Sequence, residues 1–275
     1  MAYDAFWRLS QYPFCRSIAA LSKRDFRKKR GYQYEANLFA QILKLPLAEV
    51  RLPHLSETHF RQWADRRLKE IQSSSVRREW NVLSNVLTCA SKEWGLIPEN
   101  FMLRLNKPAN SPARTQRISD EVAEQIAYVA NYCPNCTPHT STQRVAAAFY
   151  FALETAMRAG EICSLTWDNV YLDENHVHLP RTKNGHPRDV PLSPKAKAII
   201  GQMQEVKQNN QVFNLTKASL DALFRKLKKR NLFQENIRFH DSRREALTRL
   251  AQIYSVMELA KISGHRDIRI LLNTN

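Results

Sequence analysis

The stretch LNKPANSPARTQRISDE, residues 105–121, constrains this chain more than any other. Pro108 and Pro112 each remove a backbone donor and fix φ. No apolar residue recurs there at helical or strand spacing. A packed element cannot cross such a segment, so the chain must fold as one unit before it and another after it. Between them the sequence predicts an extended basic linker, residues 107–118, that contains Arg114. A length of 275 residues accommodates two modest domains.

Ahead of the linker the patterning is helical throughout. One helix is predicted over roughly 34–44. SETHFRQWADRRLKEIQ begins with an N-cap candidate, Ser56, and sets Phe60, Trp63, Leu68 and Ile71 as its apolar positions. SSVRREWNVLSNVLTCASKEWG turns Trp80, Val82, Leu83, Val86, Leu87 and Trp94 inward and stops at Gly95. Residues 19–106 therefore read as a helical domain, and residues 1–18 match no recognisable element.

Behind the linker the pattern is mixed. Ser119 opens a helix through about Tyr132, with Asp120 and Glu121 near its positive end. RVAAAFYFALETAMRAG reads as a buried helix ending near Gly160. NVYLDENHVHLPRTKNGHPRDVPLS alternates and turns as a small sheet does, with turn residues at 173–175 and 183–185. Ser193-Pro194 starts another helix. KASLDALFRKLKKR directs Leu220, Leu223, Phe224 and Leu227 inward, and two further helices complete the end. The expected fold class is mainly α with a small antiparallel sheet (α+β).

Charge narrows the choice of partner. The formal net charge is +16. Residues 1–106 hold 18 basic against 10 acidic residues and residues 107–275 hold 24 against 16, an excess of eight in each half. Two equally basic halves suit a protein that grips a polyanion from two sides. The run SKRDFRKKRGY supplies Lys23, Arg24, Arg27, Lys28, Lys29 and Arg30. It is either a solvated face or, interleaved with Phe26 and Tyr32, a surface lying along a DNA backbone. Arg77, Arg78 and Arg114 join it as candidate DNA contacts.

The five cysteines are scattered and odd in number, so no disulfide framework is implied. CPNC at 133–136, near His139, lacks a second ligand pair at metal spacing and reads as a proline-broken loop; no metal is expected. No segment approaches the roughly 20 apolar residues of a membrane span, so a soluble, intracellular protein is expected.

Chemistry-bearing residues stand in four separate segments: Arg158 in ETAMRAGEIC, Lys183 in PRTKNGHPRDVPL, His240 and Arg243 in RFHDSRREAL, and His265 after Gly264 in SGHRDIR. His240 and Arg243 are three apart, a spacing that puts two residues on one helical face. Each has an ordinary explanation when taken singly. An arginine at a helix C-terminus complements the dipole, a turn lysine is solvated, and a histidine near a helix start bonds its cap.

Together the four segments resemble the tyrosine recombinase (phage integrase) family, in the family's order and near its spacings, over residues 117–275. A less specific likeness to the helical core-binding domain covers roughly 20–106. The resemblance implies a catalytic domain over 119–275 that breaks and rejoins DNA through a 3′-phosphotyrosyl intermediate. It implies Arg158 and Arg243 on the phosphate oxygens, where forked guanidiniums neutralise developing charge. Lys183 would protonate the leaving 5′-oxygen, His240 would assist proton transfer near the nucleophile, and His265 would donate to a phosphate oxygen. Glu161 would orient Arg158, Asp241 would steady the His240 turn, and Gly264 would permit a tight approach. No cofactor is implied, and the sequence has no GxxxxGK phosphate loop. The resemblance puts the family's nucleophilic tyrosine near Thr274 and Asn275, where a threonine hydroxyl, with a much higher pKa than a phenol, is a poor substitute. The expectation is a DNA-binding chain whose catalytic domain stops short of its nucleophile. Double-stranded DNA is the expected partner, with a homotetramer on DNA in the intact family member and a cytoplasmic, nucleoid-associated location. A non-catalytic DNA-binding regulator, a prophage integrase remnant and a type IB topoisomerase are the rival readings.

Overall fold

A computed structural model describes residues 32–42, 44–51, 54–93, 95–112, 114–182, 185–230 and 237–272. Lys23, Arg24, Arg27, Lys28, Lys29, Arg30, Trp94, Lys183, Thr274 and Asn275 lie outside these residues. The chain divides into two compact units between residues 113 and 114.

The first unit is helical among its described residues: α1 (Tyr32–Ile42), α2 (Glu57–Glu70) and α3 (Ser73–Lys92), with short 3-10 turns at Pro46–Glu49 and Phe101–Arg104. Ser56 N-caps α2 through a reciprocal box with the His59 side chain, in which its amide donates to His59 Nδ1 at 3.2 Å. The core gathers Phe60, Trp63, Trp80, Leu83, Val86 and Leu87. Leu68, expected inward, is 43% exposed, and Ala64 takes the inward position. The reason is angular: Phe60, Trp63 and Ala64 follow the helical stripe, whereas Leu68 drifts off its edge and aligns with solvated Arg61 and Asp65.

The second unit holds the remaining elements. They are α4 (Asp120–Ala130), α5 (Ser141–Thr155), α6 (Ala159–Cys163), β1 (Val170–Tyr171), β2 (His176–Leu179), β3 (Arg188–Pro191), α7 (Pro194–Glu205), α8 (Lys217–Arg230), α9 (Phe239–Leu250), α10 (Val256–Ser263) and α11 (Arg269–Leu272). The architecture is therefore mainly helical with one three-stranded antiparallel sheet, ordered β1-β2-β3, as the sequence led us to expect. Side-chain caps set several boundaries. Ser119 accepts from the Val122 amide, Thr140 and Gln143 close a capping box, and Ser193 accepts from the Ala196 amide ahead of Pro194.

Helix α5 is the axis of this unit. Val145 to Phe149 and Phe151 to Leu153 are all buried, so the helix is enclosed by α4, α7, α8 and α9. Phe149 stacks on Phe224 at 5.4 Å and meets Phe239 edge-on at 5.9 Å, tying α5 to α8 and α9. Removing a ring of this kind costs about 3–5 kcal/mol. In the sheet Val177 pairs with Val190 and Leu179 with Arg188. Period-two alternation thus puts Arg188 on the same face as buried Val190.

Candidate active site

Helix α5 ends five residues before the sequence-predicted stop at Gly160. Ala156 adopts φ 52° and caps it in the left-handed conformation. The Ala156 carbonyl is thereby freed to accept from the Arg243 Nη1 group. The consequence is that Arg158 does not close α5; it is the N-cap residue of α6. Its amide donates to Glu161 Oε2 at 2.9 Å and its Nη1 to Glu161 Oε1 at 2.9 Å.

Glu161 holds a second guanidinium. Arg188 donates from Nη1 to Oε1 at 3.0 Å and from Nη2 to Oε2 at 2.8 Å, while its Nε bonds the Ile262 carbonyl at 2.8 Å. One buried carboxylate therefore couples α6, β3 and the end of α10. Burial on its own would raise the Glu161 pKa, but hydrogen bonds from Arg188 and Arg158 outweigh it and hold the group at about 2.

Arg243 completes the cationic side. It projects from α9 and is 3% exposed, with Nη2 donating to the Ser263 carbonyl at 2.7 Å and lying 3.5 Å from His265 Nε2. Its hydrogen bonds reach only neutral acceptors. Burial first, then the charge of Arg158, push its pKa down to about 9, which leaves it protonated at neutral pH.

The turn after α10 aims the histidine. Gly264 caps that helix at φ 69°, and a Cβ there would stand 3.2–3.3 Å from Arg188 side-chain atoms. Ser263 Oγ lies 2.6 Å from the Leu259 carbonyl and 2.8 Å from His265 Nδ1. A hydroxyl has one proton, and the Leu259 carbonyl can only accept it. His265 Nδ1 must therefore donate to Ser263, and in the neutral ring Nε2 is the bare nitrogen facing Arg243. Burial, then Arg243 and Arg158, hold the His265 pKa down to about 4. Two guanidiniums thus share the one carboxylate, and Arg243 stands beside them with only carbonyls and an imidazole as partners, an arrangement that favours an incoming anion.

His240 sits one turn away, exposed at the start of α9. It lines a cavity of about 630 Å³ together with Arg158, Gly160, Arg181 and Lys217. Although three apart, His240 and Arg243 end in different surroundings, the rim and the interior. Asp241 accepts from the Arg238 amide at 2.8 Å, which fixes the helix start beside His240. It also accepts from Arg114 at 3.2 and 2.9 Å. The Arg114 guanidinium, expected at a DNA backbone, is therefore bonded to this helix. Arg77 donates to the Pro108 carbonyl at 2.5 Å, and Arg78 is exposed.

Two ion-pair partners lie outside the sequence-predicted set: Arg188, beside the cluster, and Glu245, away from it. The signal for Arg188 was present: strand alternation with Val190 turns its charge inward. Glu245, 3% exposed, receives Arg117 at 2.7 Å, Arg249 at 3.0 Å and the Ile118 amide at 3.2 Å. Nothing local in RREAL announces that bond across more than a hundred residues. Among the described residues no group of three or more His, Cys, Asp or Glu side chains is placed to hold a metal, and no helix is long and apolar enough to cross a membrane.

A fold of this kind, with such a cluster at its centre, defines a class. Residues 116–274 match the phage integrase family model, and the chain belongs to that family. It is 44% identical over 251 residues to a putative integrase/recombinase of Haemophilus influenzae, covering 90% of this chain and 68% of the relative. It is 32% identical over 274 residues to a shufflon-specific DNA recombinase of Escherichia coli, covering 96% and 69%. The fold is similar to that of a lambda integrase dimer bound to a COC′ core site, with a TM-score of 0.78 at 16% identity over 94% of this chain and 75% of that one. It is also similar to the Tn1549 transposon integrase in complex with a circular intermediate DNA, at 0.77 and 16% identity over 96% and 94%.

Proposed function

We propose that this protein is a site-specific DNA recombinase whose second unit breaks and rejoins strands through a 3′-phosphotyrosyl intermediate. The observation that carries the reading is the cation excess at partly buried Arg158 and Arg188 and buried Arg243. Transfer of a phosphoryl group from a sugar oxygen to a phenol piles charge on the non-bridging oxygens. Preorganised guanidiniums relieve that charge without reorganising, and do so best where water is excluded. Arg158 and Arg243 are assigned to those oxygens. Arg188 bonds both oxygens of Glu161 and is assigned to positioning Arg158. His265 is assigned to a third contact, made once a phosphate offsets the neighbouring cations and lets Nε2 take a proton. His240, at the cavity rim, is assigned to proton transfer at the attacking hydroxyl, and Lys183 to protonation of the leaving 5′-oxygen. The phosphotyrosyl bond conserves the energy of the broken phosphodiester, so the scheme needs no cofactor.

The first unit is assigned to gripping the duplex, with Arg77, Arg78 and the basic run at 23–30 as phosphate contacts. The DNA-bound integrases that share the fold support double-stranded DNA as partner, and their dimers and tetramers support assembly on it. Phosphate contacts dominate such binding, so affinity should fall steeply with salt. Tyr254 packs partly buried against the main core and is not assigned as the nucleophile. No tyrosine follows it in the 275 residues. A polypeptide of these residues is expected to bind duplex DNA and to form no covalent adduct with a nicked suicide substrate. Extension by a tyrosine-bearing C-terminal segment is expected to yield that adduct. An adduct from the 275 residues alone overturns the assignment of the nucleophile. Its absence from every extended version, with DNA still bound, favours the regulator reading instead.

A further inference from the structure

The recombinase reading leaves CPNC unused. Its four residues form one tight turn between α4 and α5: the Cys136 amide donates to the Cys133 carbonyl at 3.0 Å. A turn closed by that bond brings its first and last Cα atoms within about 7 Å, and a disulfide needs roughly 4.4–6.8 Å. Neighbouring groups hold the turn in place. Tyr132 Oη donates to Gln202 Oε1 at 2.9 Å, Gln202 Nε2 bonds the Pro134 carbonyl, and Gln143 Nε2 bonds the Asn131 carbonyl at 2.7 Å. Both thiols are exposed, whereas Cys163 is buried and Cys89 half-buried.

We infer that Cys133 and Cys136 form a redox-convertible dithiol, a modification site that a small-molecule disulfide such as oxidised glutathione converts to an intraturn disulfide. Polarity within the pair assigns the order of events. A hydrogen bond from Cys136 lowers the pKa of Cys133, and the same bond raises that of Cys136. The Cys133 thiolate attacks one sulfur of glutathione disulfide, expelling one glutathione thiolate and leaving a mixed disulfide. Cys136 then loses its proton to solvent and attacks the Cys133 sulfur, expelling the second glutathione. The protein gives up two electrons and two protons, and the glutathione disulfide receives them. The closed ring spans only four residues, so it constrains the unfolded chain little. Its effect falls on the turn itself, which is fixed against α7 through Gln202.

The test treats the full 275-residue protein with oxidised glutathione, blocks remaining thiols with iodoacetamide and maps peptides by mass. Expected is a 133–136 disulfide two hydrogens lighter than the dithiol and reversed by dithiothreitol. In Cys136→Ser the reaction should stop at a glutathione adduct on Cys133. In Cys133→Ser adduct formation at Cys136 should slow by about tenfold, reflecting the lost low-pKa attacking thiol. Full alkylation of both cysteines after excess oxidant overturns the inference. So does glutathione accumulating on both without ring closure.

Discussion

Two arginine clusters, one in each unit, show opposite charge bookkeeping. In the first unit Arg67 donates to both oxygens of buried Glu79, at 2.9 and 2.6 Å, and to Glu70 as well. With Arg66 also on Glu70, two cations meet two carboxylates, and the bond to Glu79 drives the Arg67 pKa upward. In the second unit Arg158 and Arg188 share Glu161, whereas Arg243 bonds only carbonyls and the His265 ring and its pKa is driven down to about 9. A saturated cluster is a fastener between α2 and α3. An undersaturated one leaves positive charge over for an anion, and the proposed phosphate site rests on that contrast.

Removing Arg67 should have the largest effect on stability. Arg67→Ala leaves the Glu79 carboxylate as a buried charge without its cation, which costs about 3–5 kcal/mol. Thermal or urea unfolding of the first unit checks it, and the phosphate chemistry should be unaffected wherever that unit still folds. Arg158→Ala should do the reverse. It should leave unfolding nearly unchanged and take about 3 kcal/mol from the transition state, read as a loss of suicide-substrate adduct on the order of a hundredfold in a tyrosine-extended version. Equal destabilisation by the two substitutions would dissolve the contrast between the clusters.

Legibility followed the range of the interaction. Arg158, Arg243 and His265 were visible because each sits in a short motif, and the structure brings those three together. The end of α5 was not visible, because Ala156 takes a left-handed turn inside LETAMRAGEI with no glycine or asparagine to mark it. The bonds from Arg114 to Asp241 and from Arg117 to Glu245 span more than a hundred residues, and no local pattern encodes them. Leu68 was misplaced because composition alone does not resolve the edge of a helical stripe.

Gly264 sharpens the comparison on a smaller scale. Gly264→Ala places a side chain at φ 69°, a cost of about 1–2 kcal/mol, and crowds Arg188 at 3.2–3.3 Å. A modest drop in melting temperature should accompany a larger loss of adduct formation, because Arg188 is shared with Glu161.

Acid should act on the same cluster. Glu161, held at about 2 when folded, contributes stability that is present above its unfolded pKa near 4.5 and lost as pH falls from there toward 2. His265, held at about 4, has its charged form disfavoured by folding. That contribution is present above its unfolded pKa near 6.5 and fades as pH falls toward 4. A pH series of unfolding curves should show the second unit weakening from pH 6.5 downward. Arg67 offers no such titration at mild acidity.

The central claim is that the undersaturated cluster receives a backbone phosphate. NMR titration of the His265 ring tests it most directly, with resonances assigned by a His265→Gln variant and recorded with and without saturating duplex DNA. The account predicts a pKa near 4 in the free protein that rises clearly on DNA, as an anion offsets Arg243 and Arg158. A His265 pKa that stays put or falls while DNA is bound would contradict it.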